Sequence, residues 1–302
     1  MDNVVEVRGL TRRYKRITAL DNFDLDVPRG GVLGLVGENG AGKTTVIKHV
    51  LGLLRAQTGS VRVFGIDPVK EPAKVLARIG TLSEDRDLPA WMCVWELMKY
   101  MSTFYPKWDA AYAEHLRDVF ELPPKAKLGS LSQGQLAKAG LLAALAHRPE
   151  FLVLDEPSSG LDPNVRRNIL ESIVLTVTEE GRTVLFSSHL LDEVERVADR
   201  VAMVHKGRLV LSGAMDDVKE NHHEVVVRTR NGHGEAPVLP GALACTGAGP
   251  EWTVFCSGSL ENVRAAAAQA DCDVVETRTP TLEAIFVGLS GKTKTSLEQN
   301  NG

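Results

Sequence analysis

One junction constrains the fold of this chain more than any other. Val32-Leu-Gly-Leu-Val36 is a continuous apolar run that stops at a glycine, and Gly37-Glu-Asn-Gly-Ala-Gly-Lys-Thr-Thr45 follows, ahead of residues 44–54 at helical spacing. A run apolar at every position suits a central strand of a parallel sheet, buried on both faces. The glycines let the backbone curl until its N–H groups converge, and the helix that follows points its positive end at the same place. The spacing is G-x-x-x-x-G-K-[ST], with a further glycine at Gly40, and this strand–loop–helix context separates it from an ordinary glycine turn. Gly37, Glu38, Asn39, Gly40, Ala41, Gly42, Lys43, Thr44 and Thr45 are therefore expected to cradle a polyphosphate. Lys43 would reach the β/γ-phosphates, and Thr44 would place its hydroxyl on Mg²⁺.

A second feature turns binding into chemistry. Phe151-Leu-Val-Leu-Asp-Glu156 is a buried strand with two carboxylates at its C-terminal end, where ligands of such sheets sit. Asp155 would hold Mg²⁺, and Glu156 would act as general base on the water that attacks the γ-phosphate. Alone, a strand ending in two acids is a weak sign, since surface acids often cap strands; beside the glycine loop it becomes a catalytic one. Ser187-Ser-His189 closes a third strand and offers a histidine to the same phosphate.

The rest of the chain sets limits. Its 302 residues suffice for one large domain and a small one, and 43 % hydrophobic with 25 % charged residues is an ordinary globular balance. The net charge of −4 comes without a basic patch or tail, so no nucleic-acid partner is expected. Cys93, Cys245, Cys256 and Cys272 form no CxxC pair and read as reduced thiols of a cytoplasmic protein. His222-His223 lack further ligands at zinc-like spacing and read as packing or linker. The N-terminus lacks the pattern of a signal peptide, and the most apolar stretch, Leu136–Ala146, is too short to span a bilayer. Strands are expected at 4–7, 23–27, 79–82, 151–154 and 183–187, with a hairpin over 201–211 turning at Lys206-Gly207 and helices over most of 90–148. After Asp216 the pattern restarts, with strands at 224–229, 253–256 and 274–277 and helices at 260–270 and 281–289.

Leu131-Ser-Gln-Gly-Gln135 opens an apolar helix twenty residues before Asp155, and no generic nucleotide-binding enzyme needs it. Here the chain resembles the ATP-binding subunits of ABC transporters, whose signature is usually LSGGQ. Ser132, Gly134 and Gln135 match and Gln133 departs. The resemblance covers residues 3–215 with every motif in family order. It implies an α/β P-loop fold with a parallel core sheet, N-terminal antiparallel strands and a helical subdomain over about 85–150. It also implies ATP with Mg²⁺, a membrane permease partner, and a place on the inner face of the cell membrane. Tyr14 stands where the family stacks an aromatic on adenine. Ser158-Ser-Gly-Leu-Asp162 matches the loop that links the two sites of a dimer, and His189 matches the switch histidine. The family works as a head-to-tail pair, homodimer or heterodimer, in which Ser132, Gln133, Gly134 and Gln135 of one copy meet the nucleotide held by the other.

Glu84 is the second departure, for the family usually has Gln there. An ionised Glu offers acceptors only, so it would keep a metal-sensing role while sitting unfavourably beside phosphate charge. Just beyond it, Trp91, Trp95, Tyr100, Phe104, Tyr105 and Trp108 supply six of the sixteen aromatics, which suits either a groove for a permease helix or helical core. Residues 216–290 resemble the C-terminal extension of bacterial ABC-2-type exporter ATPases, and the polar tail 291–302 is expected to be disordered. Soluble ABC ATPases of ribosomes or DNA carry two cassettes or long coiled-coil insertions, and this chain has neither. A degenerate regulatory subunit would not need Lys43, Asp155, Glu156 and His189 together.

Overall fold

The computed structural model describes residues 2–230 and 236–291, without the side chains of 172–180. The tail beyond Gly291, expected to be disordered, lies outside the described residues. Two compact units divide between Ser212 and Gly213.

The first unit opens with β1 (Asn3–Tyr14) and β2 (Ile17–Pro28), which pair antiparallel. Val5, Val7, Phe23, Leu25 and Val27 are buried while Glu6, Asp24 and Asp26 face water, the alternation that a half-buried strand requires. β3 (Gly31–Val36) leads through the glycine loop into α1 (Lys43–Val50). The helix ends four residues before the expected Leu54. Gly52 turns the chain there at φ 72°, and a Cβ on it would stand 2.4 Å from the Pro68 carbonyl oxygen. β4 (Thr58–Val63) returns to pair with β1.

The chain continues through α2 (Pro72–Leu76), β5 (Ile79–Leu82), α3 (Val94–Ser102), α4 (Ala110–Val119), α5 (Gln133–Leu145), β6 (Phe151–Asp155), α6 (Pro163–Glu180), β7 (Thr183–Ser188), α7 (Leu191–Val197), β8 (Arg200–His205) and β9 (Arg208–Ala214). The main sheet has the order β5-β6-β7-β3-β8-β9. β5, β6, β7, β3 and β8 run parallel, as the continuous apolar runs predict. Lys206 (φ 48°) and Gly207 (φ 77°) form the left-handed pair of a tight hairpin between β8 and β9. One core fills the space between the two sheets: Val46, Ile47 and Val50 of α1 pack with Phe23 and Leu25 on one side and Leu35 and Phe151 on the other.

The second unit carries α8 (Met215–Glu220), β10 (His222–Thr229), β11 (Ala242–Ala248), β12 (Glu251–Ser257), α9 (Leu260–Gln269), β13 (Cys272–Arg278) and α10 (Leu282–Ser290). Its antiparallel sheet has the order β11-β12-β10-β13 and its own core around Val225, Val227, Trp252, Val254 and Val263. His222 is buried, its Nδ1 2.7 Å from the Val218 carbonyl oxygen, so it serves packing as expected. All four cysteines are free thiols. Among the described residues no helix is long and apolar enough to cross a membrane.

Candidate functional site

The four motifs leave the carboxyl ends of four neighbouring strands: Glu84 after β5, Glu156 after β6, His189 after β7 and the glycine loop after β3. A cleft of about 380 Å³ opens there, lined by Asn39, Gly40, Gly42, Lys43, Thr44 and Thr45 together with Ile17, Ala19, Glu84 and Glu156.

The loop is built for close approach. A Cβ at Gly37 would lie 2.3 Å from the Val204 carbonyl oxygen, and one at Gly42 would lie 2.7 Å from that of Ala19. Gly42 is also the N-cap of α1, at φ 115°, and offers no side chain to the first-turn N–H groups. Those donors are left for an anion, with the helix dipole behind them. The loop therefore fits a nucleotide polyphosphate in shape and in charge.

Lys43 is buried. Its Nζ donates to the Gly37 carbonyl oxygen at 2.7 Å and stands 3.0 Å from Glu156 Oε1. Glu156 accepts on its other oxygen, Oε2, which lies 2.7 Å from His189 Nδ1. Its backbone has φ 47°, a left-handed conformation that costs a non-glycine residue about 1 kcal/mol. Ser187 holds it there: Ser187 Oγ accepts the Glu156 N–H at 2.9 Å and donates to Asp155 Oδ1 at 2.6 Å. Lys43, Glu156, His189, Asp155 and Ser187 thus form one connected constellation.

Thr44, Asp155 and Glu84 offer hard oxygen ligands, the donors magnesium takes. Among the described residues no three His, Cys, Asp or Glu side chains could hold a metal by themselves.

Ser132 caps α5. Its Oγ accepts the Gln135 N–H at 3.2 Å, and Gln135 Oε1 accepts the Ser132 N–H at 3.1 Å, a capping box. Gly134 is buried, and a Cβ there would stand 2.6 Å from Val165 Cγ1. Ser132 and Gln133 are exposed and line no part of the cleft of their own chain. Asp162 caps α6 by accepting the N–H groups of Asn164 and Val165 at 3.1 Å. Tyr14 is 40 % exposed, with the Arg12 guanidinium 4.6 Å over its ring; the cleft wall nearest it in sequence is Ile17 and Ala19.

Three residues escaped the sequence reading: Ser187, Arg86 and Glu193. Glu193 is buried in the first turn of α7 and accepts the hydroxyls of Ser158 at 2.7 Å and Ser188 at 2.9 Å, with Arg166 Nε 3.2 Å from its other oxygen. Its position four residues after His189 is the only signal that could have found it.

The sequence profile of the family described as ABC transporter matches residues 20–159. The daunorubicin resistance ATP-binding protein DrrA3 of Streptomyces coeruleorubidus is 32 % identical over 96 % of both chains. The bacitracin transport ATP-binding protein BcrA of Bacillus licheniformis is 29 % identical over 79 % of both. A solved ATP-binding subunit of an ABC transporter superposes with a TM-score of 0.65 at 27 % identity, over 72 % of this chain and 92 % of its own. A match that runs along nearly the whole of one relative, second unit included, places this chain among the ATP-binding proteins of ABC transporters, and with that family it binds and hydrolyses ATP to power a membrane permease.

Proposed function

We propose that this chain drives export, working as one half of a head-to-tail pair on the inner face of the cell membrane. The observation that carries the pairing is the exposure of Ser132 and Gln133 at the start of α5, away from the cleft of their own chain. Because Ser132 Oγ already accepts an N–H, its own proton is left to donate to an anion, and the helix dipole favours the same ligand. Such a group completes a phosphate site only on another subunit.

Within one site, Lys43 neutralises the β/γ-phosphates and the loop N–H groups hold them in register. Thr44 and Asp155 would hold Mg²⁺, which supplies charge neutralisation at the phosphoryl group. Glu156 takes the proton of the attacking water, and His189, hydrogen-bonded to the same carboxylate, keeps it aimed. Glu84, on the cleft wall, reads the metal and phosphate side. Tyr14 stacks on adenine.

The permease contact falls on the helical layer. Trp91, Trp95, Tyr100 and Phe104 are 70 %, 46 %, 46 % and 60 % exposed, whereas Tyr105 stacks on buried His147 and serves the core. Four exposed aromatics close together in sequence suit an apolar helix end of a partner. Export is supported by the two relatives above, one named for drug resistance and one for bacitracin transport. The test is co-purification with the membrane protein of the neighbouring reading frame, followed by ATP-dependent transport in vesicles. Trp91→Ala is expected to weaken co-purification while the chain stays folded. A chain that hydrolyses ATP at full rate with no partner and as a monomer at every ATP concentration would sink the reading.

A further inference from the structure

Glu84 and Gln133, the two positions at which this chain departs from its family's pattern, meet around one side chain. Arg86 follows Glu84 in the loop after β5, at φ 47°, and is only 6 % exposed. Its Nη2 donates to the Ser159 carbonyl oxygen at 2.6 Å and to that of Pro157 at 3.2 Å. Its Nη1 donates to Gln133 Oε1 at 3.4 Å. Ser159 Oγ in turn donates to Glu84 Oε1 at 3.5 Å. One guanidinium therefore ties the cleft wall, the loop that links paired sites, and the first residue of the signature helix.

This arrangement is a poor source of stability. The guanidinium has no carboxylate within ion-pair distance among the described residues, its Nε lacks a hydrogen-bond partner, and burial lowers its pKa. Burying a cation against carbonyl dipoles, with only the more distant charge of Glu84 in its favour, costs more than packing an apolar side chain in its place. The planar fork does something an apolar chain could not, because it holds three groups from two distant segments at fixed spacing.

We propose that Arg86 is a positioning residue that makes the Glu84 loop, residues 157–159 and the start of α5 move as one body, so that what Glu84 senses reaches Ser132 and Gly134. Gln133 belongs to the same linkage: a glycine at that position would offer Nη1 no side-chain acceptor. Gly134 seats the helix start on Val165 of α6, and Asp162 caps α6 from the same loop, so the far end of the linkage is stiff. This deepens the head-to-tail reading and rests on it.

The test is amide hydrogen exchange on the full chain carrying Glu156→Gln, with and without magnesium and ATP, read at 37–45, 131–136 and 157–162. In this parent, protection is expected to rise at all three segments. With Arg86→Ala added, it still rises at 37–45, while the change at 131–136 and 157–162 falls about fivefold or more. In chains that keep Glu156, Arg86→Ala lowers turnover about tenfold and shifts the Kd for ATP less than about threefold. Arg86→Lys keeps the charge but loses the fork, and gives the same split if the alanine variant does not fold. Transmission to 131–136 unchanged in a folded Arg86 variant overturns the proposal. So does a parallel loss of binding, turnover and protection everywhere, which marks a merely structural role. A parent that shows no change at 131–136 overturns it too. Failure of pairing is read separately, as a parent that protects 37–45 yet sediments as a monomer with ATP.

Discussion

Lys43 has one ammonium to divide among four claims: the Gly37 and Glu38 carbonyls, the Glu156 carboxylate and the phosphates of ATP. Carboxylate and phosphate compete for it, so Glu156→Gln is expected to bind ATP at least as tightly as the natural chain. Its turnover should fall about 10²–10⁴-fold, the share of a positioned base; equilibrium binding beside phosphate release separates the two effects. Lys43→Ala should lose ATP affinity instead. At this scale the sequence marked candidate side chains at or just after strand ends, Glu84, Asp155, Glu156 and His189, and the structure brings these ends together on neighbouring strands. It was silent on Arg86, whose two shorter hydrogen bonds go to backbone carbonyls 71 and 73 residues away, because any residue type supplies a carbonyl. Glu193 was hidden for a related reason: two of its partners are serine hydroxyls that also read as ordinary loop chemistry, and the third, Arg166, lies on another helix.

Among the elements, α5 and α6 meet where Gly134 faces Val165. Gly134→Ala forces a shift there and should cost about 1–3 kcal/mol of overpacking. Val165→Ala in the same chain should restore the melting temperature but not the turnover, if the glycine also lets a phosphate approach; thermal unfolding and ATPase assays together decide this. Asp162→Ala removes the cap of α6 at a cost of about 1 kcal/mol, measurable in denaturant. His147, between α5 and β6, is buried with Nε2 3.1 Å from the Ile79 carbonyl oxygen, and burial pushes its pKa down to about 4. It is neutral in the fold and charges in the unfolded chain below about 6.5. Its contribution is therefore complete above that pH and is lost as pH falls towards 4. The melting temperature should decline across that window, and more shallowly in a folded His147→Gln variant. Elements with an apolar period were legible. β11 was not, since Ala242-Leu-Ala-Cys-Thr-Gly-Ala248 has little β-branched content and exists as a strand through its pairing with β12.

At the scale of the molecule, the two units have separate cores, and the cleft is lined by the first unit alone. A chain cut after Ala214, which spares the β8–β9 hairpin, should keep its helical and strand content. It should bind ATP within about threefold of the full chain, read by circular dichroism and equilibrium binding. The motif order along the chain announced the family. The arrangement of the motifs across four adjacent strands did not follow from order alone, since strand order in a sheet is set by crossovers between segments far apart in sequence.

That strand order has a consequence for how the protein is made. β7 lies between β6 and β3 and pairs parallel with both, yet it is spelled by residues 183–188, the next strand after β6 but long after β3. A nascent chain that has already delivered Lys43, Glu84, Asp155 and Glu156 still lacks the strand that brings Lys43 beside Glu156, and with it Ser187 and His189. Ribosomes that stall short of this point release polypeptides carrying nearly every motif of an ATPase and no ATPase. Assembly of the site is deferred until most of the first unit exists, since a chain that ends before β7 lacks Ser187, His189 and the strand between β6 and β3.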